Sequence, residues 1–138
     1  DFMDAIHIFG NLIFSDLYEW LIYLGELSNR TDYDWYIKNH PKGVGRVLKA
    51  QTDTNNIVNE LIIKYKKFNL IPENFSHQKI VGEGIDFILT AYGSVGIEYP
   101  LLNIPVINAS ANKPHIGYNF NFHPKNLDEY ENLLKNLD

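Results

Sequence analysis

The run from Ile85 to Ile107 constrains the fold more than any other part of this chain. Asp86 to Thr90 is apolar enough to be covered on both faces, as strands of parallel sheets are. Tyr92, Gly93 and Ser94 break the run, and a short helix follows. Pro100 would interrupt or end that helix, and Pro105 would open a second buried strand through Ala109. Where a strand ends and a helix begins, backbone N–H groups point at whatever lies above them, and a phosphate is the natural occupant. Glu98 lies one helical turn beyond Ser94, so both side chains can face one cleft.

The same alternation of strand and helix signals extends to the rest of the chain. Ala5 to Phe9 is a candidate strand, and it begins almost at once, as if cut from something longer. Asp16, with Glu19 three residues on, has capping-box spacing. Leu17, Trp20, Leu21, Leu24 and Leu27 then recur at helical period. Trp35 to Asn39 predicts a strand running into a loop, His40-Pro41-Lys42-Gly43. A second helix is expected over Thr54 to Phe68, with Ile57, Val58, Leu61, Ile62 and Tyr65 as its buried stripe. Asn69 to Ile71 reads as a short strand closed by Pro72, and Phe75 to Glu83 as a short helix or turn. Ala111 to Pro124 is irregular. Asn126 and Glu129 repeat the capping spacing before a last helix with Leu127, Tyr130, Leu133, Leu134 and Leu137 on its apolar face. The expected fold is therefore α/β: one doubly wound domain over residues 1–138, with a mainly parallel sheet flanked by helices.

With 138 residues, 45% of them hydrophobic and 21% charged, the chain can bury a core of ordinary globular kind. Its net charge of −5 excludes a general polyanion binder, so any nucleotide site must be local. Lacking cysteine, it has neither a disulfide framework nor a thiolate zinc site, which suits a reducing cytoplasm. No apolar run approaches membrane-spanning length, and no signal segment opens the chain.

Ligands of open parallel sheets bind outside the carboxyl ends of the strands. Three groups leave such ends: His40 and Lys42; Tyr92, Gly93 and Ser94; and Asn108 and Ser110. Each also has a plainer reading. His40 alone could be a loop histidine, Gly93 steric relief at a turn, and Glu98 a solvated helix residue. Their convergence on one edge favours a site. Tyr118, Phe120 and Phe122 alternate with asparagines, either as half-buried loop packing or as a wall for a base or sugar.

Other patterns carry less. Asp32-Tyr33-Asp34 has the form of a metal–diphosphate motif but precedes its strand, at the edge opposite the expected cleft. Asn29, Asn74 and Asn108 match the glycosylation pattern without a secretory signal. His7, His77, His115 and His123 lack metal-ligand spacing. Gly43 and Gly45 lie in no strand–glycine–helix register, and no basic stripe suggests DNA or RNA.

Trp35 to Pro41, Asp86 to Glu98 and Pro100 to Ile107 together resemble the nucleotide-sugar-binding half of GT-B glycosyltransferases. The likeness is to those of bacterial capsule and surface-polysaccharide biosynthesis. Phe14 to Trp20 and Tyr118 to Asn126 look like the same group, so the resemblance covers the chain from about Phe14 onward. It implies a Rossmann-like donor-binding domain, the C-terminal half of a two-domain enzyme. His40 would stabilise the leaving phosphate with Ser94, Lys42 and Gly93 would lie against the phosphates, and Glu98 would hold the ribose. Tyr92, Asn108, Ser110 and Tyr118 would line the cleft. No metal or cofactor is implied, because amides and His40 can stabilise the charge. The partners implied are a nucleotide-sugar donor and a glycan or lipid-linked acceptor. The acceptor would be held by an N-terminal domain for which this chain has no room, so this half would bind without turning over. A cytoplasmic place follows, with peripheral association at the inner face of the plasma membrane compatible with it. A sugar-nucleotide 2-epimerase shares the two-domain plan, though it would more often show a Gly-Gly…Glu-Glu turn. A non-catalytic assembly module is the alternative of a different class.

Overall fold

A computed structural model describes residues 13–39, 46–91, 93–110 and 118–137, with no side-chain account of residues 46–51. The expected strand over residues 5–9 lies outside the described residues. The elements in order are α1 (Leu17–Ser28), β1 (Trp35–Lys38), α2 (Arg46–Lys64), β2 (Phe68–Ile71), α3 (His77–Gly82), β3 (Ile88–Thr90) and α4 (Val95–Glu98). A 3₁₀ turn (Pro100–Leu102), β4 (Val106–Asn108) and α5 (Leu127–Lys135) follow among the described residues. Helix and strand mix as expected, and both strand pairs are parallel. The chain divides into two compact units, Leu21–Phe75 and Asp1–Trp20 with Ser76–Asp138, the boundary falling inside α1.

In the unit of residues 21–75, β1 and β2 pair in register from Trp35 against Phe68 to Lys38 against Ile71. Parallel neighbours need a long crossover, and the 19-residue α2 supplies it. Leu21, Leu24, Leu27, Val58, Leu61, Tyr65 and Phe68 are buried. These include much of both expected helical stripes. The bounds of α2 differ from the sequence expectation at both ends. Its first two turns, Arg46 to Asp53, precede the expected start at Thr54, and their polar Lys49, Gln51, Thr52 and Asp53 carry little of the apolar period that would have announced them. Its last turn closes with Tyr65 N–H on Leu61 O at 2.8 Å. Phe68 thus opens β2 instead of ending a helix.

In the other unit, β4 is covered on both edges. Ile88 N–H donates to Pro105 O at 3.0 Å and Ala109 N–H to Thr90 O at 2.7 Å along β3. On its other edge Phe122 makes a one-residue parallel bridge to Ile107. A strand so enclosed needs apolar or fully bonded side chains, and Val106, Ile107, Asn108 and Ala109 are wholly buried. Gly84, at φ +92°, ends α3 in a conformation that side chains disfavour.

Both expected capping boxes form with one change of partner. Asp16 Oδ1 accepts from Glu19 N–H at 2.7 Å, and Asn126 Oδ1 from Glu129 N–H at 2.9 Å. Each glutamate then reaches one residue further upstream than the cap: Glu19 to Ser15 N–H at 2.7 Å, Glu129 to Lys125 N–H at 2.8 Å. The Ser15 hydroxyl, and then its amide, hold the Glu19 carboxyl below its ordinary range. Replacing Asn126 by alanine removes a cap from α5 and should cost about 0.5–2 kcal/mol. Urea unfolding followed by circular dichroism checks this; an unchanged midpoint would mean the cap contributes nothing.

Candidate functional site

The register of the β3–β4 pair sets the geometry. Thr90 stands opposite Asn108, so the carboxyl ends of the two strands lie side by side. From the β3 end the chain turns at Gly93, whose N–H donates to Thr90 Oγ1 at 3.1 Å. Thr90 is buried, so this bond fixes the turn from below. A Cβ on Gly93 would meet Thr90 Oγ1 at 3.1 Å and Val95 Cγ2 at 3.2 Å, so space, not an unusual backbone, selects glycine there.

Ser94 leads into α4, a helix of only four residues. So short a helix carries little macrodipole, and what it offers an anion is its first amides. The Ser94 hydroxyl does not cap it. It donates instead to Glu98 Oε1 at 2.7 Å. The other carboxylate oxygen, Oε2, lies 2.6 Å from His77 Nδ1 at the start of α3. Glu98 is therefore held from both sides, yet its side chain keeps 45% of its exposure and that of His77 30%.

His77 is the residue the sequence did not single out. Ser76 caps α3 through its side chain, which accepts from Lys79 N–H at 3.2 Å, and this sets His77 in the first turn. Its ring lies over Tyr99, centroids 5.0 Å apart and planes tilted by 31°. Burial first, and the Glu98 carboxylate second, push the Tyr99 phenol above its usual range. His77, Gln78, Glu98, Leu101 and Leu102 line a groove of about 440 Å³. Leu101 is one of the most exposed large apolar side chains, at 79%.

The β4 side of the edge is built differently. Asn108 and Ser110 are wholly buried. The Asn108 amide nitrogen donates to Phe122 O at 3.2 Å and lies 3.1 Å from His123 Nδ1. The Phe122 carbonyl can only accept, so the nitrogen must face it. His123 Nδ1 is then the acceptor and Nε2 the donor, to Tyr118 O at 3.1 Å. Asn108 thus braces the loop of residues 118–123. Asn121 ties that loop to α4, its amide nitrogen 2.5 Å from Gly96 O. Tyr118 and Phe120 stack at 5.3 Å and remain 58% and 41% exposed.

Of the residues expected at the site, Gly93, Ser94 and Glu98 come together, and Asn108 and Ser110 leave the neighbouring strand end beneath the surface. Tyr118 sits on the braced loop. His40, Lys42 and Tyr92 lie outside the described residues, as do His7, His115, Gly43 and Gly45. Among the described residues no cluster of His, Asp and Glu could hold a metal ion, and no helix is long and apolar enough to cross a membrane. No family model matches the chain, and comparison with curated proteins and with solved structures finds no match.

Proposed function

We propose that this chain is a Rossmann-like, doubly wound nucleotide-sugar-binding domain of a glycosyltransferase for bacterial capsule or surface polysaccharide. The observation that carries the reading is the Thr90–Asn108 register. It sets the Gly93-Ser94 turn and Glu98 at the carboxyl edge of a parallel pair, where open α/β sheets take their ligands. The Ser94 and Val95 amides then face the diphosphate, and Glu98 accepts ribose hydroxyls. A carboxylate beside a diphosphate would repel it. Here two donors, the Ser94 hydroxyl and the His77 ring, draw on the Glu98 charge. Activation of the glycan or lipid-linked acceptor belongs to a second domain.

Titration calorimetry with nucleoside diphosphates and with inorganic pyrophosphate tests the reading. The chain should bind both. Glu98→Gln should weaken the nucleotides about tenfold, roughly 1.4 kcal/mol, and leave pyrophosphate nearly unchanged. Ser94→Ala should give a similar pattern, because its hydroxyl acts through Glu98 while the backbone amides remain. Absence of any nucleotide binding by the unaltered chain would leave an assembly module as the function.

A further inference from the structure

We infer that His77 is a ligand-contacting residue, and that with Glu98 it forms a polyol subsite. The subsite takes a vicinal diol, the ribose of the nucleotide reading on which this inference rests. Three observations lead there. Glu98 fixes the imidazole through Nδ1, at 2.6 Å. Its Nε2 has no partner among the described residues, and the ring lines the groove. A hydroxyl suits Nε2 in either protonation state, donating to the neutral ring or accepting from the charged one.

The carboxylate adds the second contact. Ser94 and His77 engage one lone pair on each Glu98 oxygen. A carboxylate has about four acceptor sites, so each oxygen keeps one for a hydroxyl. Leu101 and Leu102 supply an apolar wall for the C–H face of a sugar ring. Stability gives His77 little other purpose. An ion pair this exposed contributes little to folding.

The test compares nucleoside diphosphates with their 2′,3′-dideoxy counterparts and with inorganic pyrophosphate, on the unaltered chain, His77→Ala and His77→Gln. The unaltered chain should prefer the diol. His77→Ala should narrow that preference about tenfold, leave pyrophosphate unchanged and leave the thermal midpoint nearly unmoved. Glutamine, which keeps a polar side chain, should restore part of the preference. In the unaltered chain the Nε2 resonance of His77 should shift with the ribonucleotide and stay in place with pyrophosphate. Equal losses for all three ligands, or an unmoved Nε2 resonance on ribonucleotide binding, would overturn the role of His77 while leaving a nucleotide site. Failure of the unaltered chain to bind any nucleotide would overturn both.

Discussion

Tyr130→Ala is expected to destabilise its unit by about 3–5 kcal/mol, the usual cost of emptying a buried aromatic site. Tyr130 is wholly buried on α5. Its ring stands edge-on to Phe14, centroids 5.5 Å apart at 80°. Its hydroxyl accepts from the Trp20 indole at 2.9 Å. The alanine variant therefore loses ring burial, an aromatic pair and the acceptor of a buried N–H together. Tyr130→Phe separates these effects. It keeps the ring and removes only the hydroxyl, so it should cost about 1–3 kcal/mol. Against a domain stability of roughly 5–15 kcal/mol, the alanine variant is the graver change. Urea unfolding followed by Trp20 fluorescence in a Trp35→Phe background reads this unit, since each unit holds one tryptophan. Equal losses for Phe and Ala would mean the ring packing contributes nothing beyond the hydrogen bond.

The parts of this fold that the sequence announced are those set by local chemistry. Short apolar runs bounded by glycine and proline gave the strands at Trp35, Ile88 and Val106, because a buried strand needs little beyond that. Asp16 and Asn126 announced helix starts because a cap is a contact between near neighbours. The glutamates' reach to Ser15 and Lys125 was hidden, since that one-residue shift depends on side-chain rotamers. Phe68 misled because it continues the apolar spacing of α2. Its pairing with Trp35 is a tertiary choice that no window of sequence contains.

The site divides in the same way. Ser94 and Glu98 are four residues apart on one turn, and their bond could be read from spacing. His77 meets Glu98 from another helix, and a lone histidine without ligand spacing gave no sign of it. Ser76, read as a cap, would have placed His77 in a first helical turn but could not have named its partner. Asn108 looked like a cleft residue because it leaves a strand end. The bridge at Phe122 covers that end and turns the asparagine into a brace. Alternating aromatics at Tyr118, Phe120 and Phe122 suggested half-buried packing, and all three are 41–58% exposed: Phe122 joins β4 through its backbone, and Tyr118 and Phe120 stack on each other.

Gly25→Ala should destabilise the other unit by about 1–3 kcal/mol or more, although alanine is the better helix former. A Cβ on Gly25 would lie 2.3 Å from Cδ2 and Cε2 of Tyr65, well inside any real contact. The ring has little freedom to yield. Tyr65 is 2% exposed. Its hydroxyl donates to Glu26 Oε1 at 2.8 Å, and its ring stands edge-on to Phe68 at 5.7 Å. Moving it would break the hydrogen bond or push into β2. The gain of about 1 kcal/mol from replacing a helical glycine therefore works against a larger steric cost. Gly25→Val should be worse, because branching adds bulk on the same side. A double-mutant cycle with Tyr65→Leu identifies the cause, since contacting residues couple where distant ones add. With the ring gone, the penalty of alanine at position 25 should shrink by at least about 1 kcal/mol, a coupling typical of residues in contact. Additive losses would mean that Tyr65 is not what selects glycine there, and a stabilised Gly25→Ala would mean that helix propensity outweighs the clash.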